Sequence, residues 1–321
     1  MPELVLLRRA RIVSPTSVVQ LESPLQPLPE SDSSNTHKWT RFVLLSDTHT
    51  STFQVPAGDV LLHTGDLTQN GTFTELQTTM EWLYALPHSL KIIIAGNHDL
   101  AVHRKWYDDN WRRKRHKSKE SAEAISDLLK GPRARASNVV YLQDEQYKFR
   151  VHEGGKEWAV YGSPWSPVFG NWAFGYAKKD AEALVSRFPR TDILLTHCPP
   201  QNVLDLTNSD TRAGCAALSA QVQVLRPRLH VFGHIHEARG AYVHLWDGAE
   251  TLGAQNATQL DVSDNREDED IPGTVVHLPA GQQTVFVNAS NWPSGPNTWR
   301  NWEKVEVGGP AVAPIAVDLL E

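Results

Sequence analysis

The chain is poor in cysteine and methionine, has no long apolar run and carries no excess of positive charge. Two cysteines in 321 residues, Cys198 and Cys215, cannot build a disulfide framework, and they are compatible with a reducing compartment. No stretch approaches the roughly 20 consecutive apolar residues that cross a bilayer. The one N-terminal apolar run, Leu4–Leu7, is followed rather than preceded by arginines, so it reads as neither a signal peptide nor a membrane span. A net charge of −6 argues against a general nucleic-acid binder, because attraction to phosphate favours a basic surface. These absences point to a cytoplasmic protein, with the nucleus as the alternative, and leave membranes and nucleic acids out of its expected partners.

What is present fits a soluble globular protein: 40% hydrophobic and 21% charged residues. The length suits one large domain with appendages. Residues 14–36 hold four prolines and six serines and offer little to bury, so residues 1–38 are expected to be a flexible N-terminal segment, in which the run L-V-L-L-R-R-A-R-I-V at 4–13 is open to a stray strand or helix. The folded domain is expected over 39–321. Within it, 247–273 carries eight acids against one arginine and reads as a polar insertion, while 313–319 reads as a late strand.

Strand-like apolar runs alternate with helical periodicity. Arg41–Asp47, Asp59–Asp66 and Lys91–Asp99 are strands with polar ends, and Phe73, Leu76, Met80, Leu83 and Tyr84 mark an amphipathic helix between the last two. That rhythm belongs to a mainly parallel α/β sheet. Further strands are expected at Val139–Leu142, Tyr147–Val151, Trp158–Gly162, Asp192–His197, Leu229–His236 and Thr284–Ala289. The basic run at 112–117 reads as a solvated helix face, with an import signal or a phosphate patch as alternatives.

Five of these strands end in chemistry: D-T-H at 47–49, G-D at 65–66, G-N-H-D at 96–99, T-H at 196–197 and G-H-I-H at 233–236. A single histidine after a strand means little. Five endings of Asp, Asn and His have no packing explanation, because a buried polar group without a partner is costly. Carboxylates, an amide oxygen and imidazoles suit borderline divalent ions. Two such ions clamp a phosphoryl group and hold a hydroxide between them as nucleophile. One carboxylate must bridge the pair, and Asp66 suits that position. Manganese is the first expectation, with iron, zinc, cobalt or magnesium as alternatives.

In its order of motifs the sequence resembles the calcineurin-like metallophosphoesterase family, and within it the metallophosphoesterase-domain-containing branch. That likeness is carried also by G-S-P-W-S-P-V-F at 162–169, T-H-C-P-P at 196–200 and V-N-A-S at 287–290. It covers roughly 39–292. The resemblance implies a four-layer α/β/β/α sandwich of two mixed sheets flanked by helices, with a dimetal site at the carboxyl ends of the strands. It implies that Asp47, His49 and His236 hold a first metal, that Asp66 bridges, and that Asn97, His197 and His234 complete a second. His98 would be the general acid, with Asp99 orienting it or capping its turn.

The family's Ser/Thr protein phosphatases carry an acid where Gln69 stands here, which disfavours that activity. The aromatic loop at 162–174 is expected to line a pocket through Trp165, Phe169 and Trp172, with packing over a sheet edge as the alternative. The expected function is a metal-dependent phosphodiesterase on small or cyclic nucleotides or related diesters. The alternatives are a phosphomonoesterase, a nuclease, or a metal-binding scaffold of low activity. Among the other histidines, His63 reads as buried and hydrogen-bonded. His88, His103, His116, His152, His244 and His277 read as surface residues, and His230 is left unassigned.

Overall fold

The computed structural model describes residues 11–21, 24–28, 38–114, 116–246, 252, 260–261, 275–278, 280–292, 299–300, 303–304, 309 and 312–321. Two mixed sheets stack face to face. The first has eight strands in the order Val275–His277, Arg11–Val13, Ser17–Gln20, Ile315–Leu320, Trp39–Leu45, Val60–Thr64, Leu90–Ile94 and Val139–Tyr141. Its last four strands run parallel, and Ile315–Leu320 joins them antiparallel to Trp39–Leu45. The second has seven, in the order Leu260–Asp261, Gly240–Leu245, Gln283–Asn288, Leu229–Phe232, Ile193–Thr196, Trp158–Ser163 and Glu145–Phe149. Four adjacent strands at its centre are parallel.

The central strands read as continuous apolar runs because both of their faces are covered. Between the sheets, Phe42, Leu44, Val60, Leu62, Ile92 and Ile94 meet Val160, Ile193, Leu195, Val231, Val285 and Val287. On the outer face of the first sheet, Leu45, Leu61 and Ile93 pack against helices Phe73–Ala85 and Ala122–Lys130. Thr72 and Glu75 start the first of these helices with a reciprocal capping box. Outside the second sheet, Leu194, Phe232 and Phe286 pack against helices Ala181–Val185 and Ala216–Leu225. The expected four-layer sandwich is therefore the observed one.

The N-terminal expectation needs correcting. Residues 11–20, placed by composition in a flexible segment, form two strands of the first sheet, and Ser17–Gln20 lies between Arg11–Val13 and Ile315–Leu320. Ile12, Val18 and Val19 are buried, and Gln20 donates a 2.8 Å hydrogen bond to Asp318. The domain begins earlier because those few apolar residues have a distant partner to cover them. Most of the expected insertion at 247–273 lies outside the described residues; within it, Leu260–Asp261 pairs along Gly240–Leu245. Among the described residues no helix is long and apolar enough to cross a membrane.

Candidate metal centre

All five polar motifs follow the carboxyl ends of parallel strands, where open α/β sheets gather their ligands. Asp47 and His49 follow Trp39–Leu45, Asp66 follows Val60–Thr64, and Asn97 and His98 follow Leu90–Ile94. From the second sheet, His197 follows Ile193–Thr196, and His234 and His236 follow Leu229–Phe232. Four of these residues leave their strands with positive φ: Asp47 at 53°, His49 at 44°, Asp66 at 52° and His234 at 69°. That conformation costs a non-glycine residue roughly 1–2 kcal/mol, and such strain collects at functional sites. Cross-loop hydrogen bonds hold it, from the amides of Asp47 and His49 to the carbonyls of Gly65 and Asp66 at 2.9 and 3.0 Å.

Two glycines permit the close approach. A Cβ at Gly96 would lie 2.3 Å from Asp66 Oδ1, and one at Gly233 would lie 2.0 Å from Asp47 Oδ2. Gly96 is thus needed to make room for Asp66, rather than for the sharp turn its place after a strand suggests.

The side chains converge as two groups that share Asp66. Ligand atoms of Asp47, His49, Asp66 and His236 lie within 4.8 Å of one another, and so do those of Asp66, His197 and His234. Asn97 belongs with the second group, its Oδ1 lying 2.8 Å from His197 Nε2. In the first, His236 Nε2 lies 3.2 Å from Asp47 Oδ1 and 3.3 Å from His49 Nε2. The tautomers suit a cation. His49 Nδ1 donates to the Thr68 carbonyl at 3.1 Å, and His197 Nδ1 to the Thr64 carbonyl at 2.9 Å. Each Nε2 is then turned into the cluster, the usual arrangement for a metal-binding imidazole. Asp47 is held in turn by the hydroxyl of Ser290 at 2.8 Å and the amide of His234 at 3.0 Å.

Charge completes the fit. Burial works to raise both carboxyl groups, but the His236 hydrogen bond to Asp47 and the charge of His197 beside Asp66 outweigh it and hold both below the usual carboxylate range. Burial pushes His49 down to about 4 and His234 to about 3. His197 and His236 are also buried, yet Asp66 and Asp47 respectively raise them above the ordinary histidine value. Two buried carboxylates thus retain protons on neighbouring imidazoles where a cation would neutralise them. The donor set, carboxylate and imidazole with one amide, fits divalent ions of borderline softness.

His98 and Asp99 do different work from each other. His98 sits on the cavity wall, its amide donating to Asp66 Oδ1 at 2.8 Å and its Nδ1 to the Gln69 carbonyl at 2.7 Å. The expectation that Asp99 orients His98 is corrected here. The orienting acceptor is the main chain of Gln69, the very position where the missing acid was noted. The Asp99 carboxylate instead accepts from the amides of Gly96, Leu67 and Thr68 at 2.8, 3.2 and 2.9 Å, and from the Thr68 hydroxyl at 2.7 Å. It ties the Asp66 loop to the Asn97 loop.

A cavity of about 960 Å³ opens from Asp66, Asn97, His98, His234 and His236 toward Lys178, Lys179 and Arg212. Phe169, 81% exposed, and Trp172 line it. Trp165 does not: its indole donates to Asp144 at 2.7 Å and its ring packs edge-on against His103 and Phe174. Proline-rich spacing made the three aromatics look equivalent, whereas only two face the cavity.

His63 is buried and bonded to the Thr48 hydroxyl at 3.1 Å, as expected, but His88 and His244 are buried rather than superficial. His230 is fully buried within its strand. Sequence reasoning also passed over Ser290, which holds Asp47, and Trp292, whose ring centroid lies 5.2 Å from that of His49. Only the V-N-A-S run hinted at them.

Comparison with known proteins agrees with this geometry. A family model described as calcineurin-like phosphoesterase matches residues 40–238. Metallophosphoesterase domain-containing protein 1 of Homo sapiens is 37% identical over 224 residues, covering 67% of this chain and 66% of that protein, and the Mus musculus protein matches equally. The match thus spans just under two thirds of those relatives. A UPF0046 protein of Caenorhabditis elegans is 32% identical over 255 residues, covering 73% of this chain and 58% of that one. A probable rhamnogalacturonate lyase C of Emericella nidulans is 36% identical over 214 residues, which cover 66% of this chain but only 18% of that protein. The matched span from Thr40 to Ala238 holds every residue of both clusters, and the chain belongs to the calcineurin-like phosphoesterase family.

Proposed function

We propose that this chain is a dinuclear metal-dependent phosphodiesterase acting on small organic phosphodiesters, nucleotides included. Asp47, His49 and His236 would hold one ion, Asn97, His197 and His234 the other, with Asp66 shared. Such ions, once bound, supply Lewis acidity and water activated near neutral pH. The remaining work falls to the chain. His98 lines the cavity with its Nδ1–H engaged by the Gln69 carbonyl, and as the imidazolium it would donate its second proton from Nε2. As water adds to phosphorus and the bond to the leaving oxygen breaks, that proton passes to the oxygen, giving a phosphomonoester and an alcohol, and the proton that the water gives up restores the imidazolium.

The observation that carries the diester reading is the cavity. At about 960 Å³ it is far larger than a phosphate and lies at the upper end of small-molecule sites, so a second organic substituent has room. Its lining combines apolar side chains, Trp172, Val168 and Phe169 among them, with the cations Lys178, Lys179 and Arg212.

The test is turnover of purified, Mn-supplemented protein on matched diester and monoester reporters, repeated with Asp66→Ala and His98→Ala. We expect the diester to be preferred, with losses of roughly a hundredfold or more in each variant. Equal turnover by both variants and the parent would reject the mechanism. Monoester preference would reject the substrate class.

A further inference from the structure

The His98 imidazole has three contacts, and one comes from an unexpected side. Its Nδ1 meets the Gln69 carbonyl at 2.7 Å, and the His49 ring lies edge-on at 4.7 Å. The third is Trp172, stacked on it with ring centroids 4.1 Å apart and planes 25° from parallel. One hydrogen bond leaves an imidazole free to swing about the N–H···O axis. An indole laid against its face removes that freedom, and general acid catalysis depends on it, because the proton must be aimed at the leaving oxygen.

Trp172 is itself held. Its neighbours are tied down, Asn171 to the Asn110 side chain at 3.0 Å and the Ala173 amide to the Asn97 carbonyl at 3.2 Å. The ammonium of Lys114 lies 3.2 Å from the indole centroid, a cation–π contact. Lys114 belongs to the basic run at 112–117. From the same run, His116 Nε2 bonds to the carbonyl of Asn70 at 2.9 Å, next to the Gln69 carbonyl that orients His98. The run therefore braces both supports of one imidazole, the indole through Lys114 and the Gln69–Asn70 turn through His116. A solvated helix face would reach neither.

We infer that Trp172 is a positioning residue for His98, anchored by Lys114. It fixes the angle of the imidazole and acts through it. This rests on His98 being the proton donor proposed above.

The test uses the full chain and two diesters that differ in leaving group, one a p-nitrophenolate that needs no proton and one an alkoxide that does. Trp172→Ala should lower kcat on the alkoxide substrate by roughly ten- to a hundredfold, well beyond any change in KM. On the p-nitrophenyl substrate the loss should stay below about threefold, and Trp172→Phe should restore most of the rate. A rise in KM of similar size on both substrates would make Trp172 a substrate contact and overturn the assignment.

A second readout needs no turnover. The carbon-bound ring protons of His98 should carry an upfield ring-current shift in the NMR spectrum, lost in Trp172→Ala and kept in part by Trp172→Phe. Unmoved His98 protons in Trp172→Ala would refute the stacking. Should the parent hydrolyse neither diester, the phosphodiesterase reading fails, and the NMR comparison still decides where the imidazole is held.

Discussion

Asp99 is fully buried, and it offers two oxygens to three main-chain amides and a hydroxyl. Truncation to alanine strands those donors in the interior, each costing about 1–3 kcal/mol when unsatisfied. Asp99→Ala should therefore destabilise the protein by roughly 3–5 kcal/mol in urea unfolding, and Asp99→Asn by about half of that. A change below about 1 kcal/mol for alanine would show that the two loops are held by something else. The residue was conspicuous in the sequence, but its task was not. The ligands were legible because their chemistry lies in their side chains: Asp, Asn and His at five strand ends have few other uses. The atoms that steer them lie largely in the main chain, in the carbonyls of Thr64, Thr68 and Gln69, and no residue type announces a carbonyl. Trp165 failed for a related reason. Its indole looked available until Asp144, 21 residues away in the chain, was seen to accept from it.

The central strands could be read directly, since runs such as Phe42–Leu45 are buried at every position and leave an unbroken apolar signature. The strand at 11–13 left only an apolar run that fits strand or helix equally, and that at 17–20 left no signature. They are three and four residues long, are set among serines and prolines, and depend on partners such as Asp318, 298 residues from Gln20. Short-range pattern carries no trace of such a pairing. Their removal nevertheless matters, because Ile12, Val18, Val19 and Leu21 are buried and Ile315–Leu320 would become a bare edge. A chain starting at residue 38 should lose roughly 6 kcal/mol, at about 1.5–3 kcal/mol for each buried apolar side chain. It should melt well below the full chain or aggregate on expression. Identical melting curves would show that these two strands add nothing to stability.

For the molecule as a whole, acidity is a sensitive variable, because some imidazoles, His63 and His230 among them, are buried neutral. His230 donates from Nε2 to the Thr196 hydroxyl at 2.9 Å, since that hydroxyl gives its own proton to the Cys198 carbonyl, and its Nδ1 has no partner. Burial pushes it down to about 3, against about 6.5 in the unfolded chain. Between those values the unfolded state binds a proton that the folded state refuses, so stability falls as pH falls below about 6.5. Relative to His230→Asn, the parent should lose about 2 kcal/mol between pH 7 and pH 5. Parallel stability curves for the two proteins over that range would contradict the buried neutral ring.

The two candidate metal groups draw on both sheets. Asp47, His49, Asp66 and Asn97 come from the first, and His197, His234 and His236 from the second. Neither sheet owns a complete set. An ion seated there would be a rivet between two halves that otherwise meet through a largely apolar seam and a few hydrogen bonds at its rim, and its affinity would exist only while they are docked. Chelation would then be felt at the apolar seam between the sheets as a faster parting of the halves, and the rate at which an ion escapes would report how often the sandwich breathes.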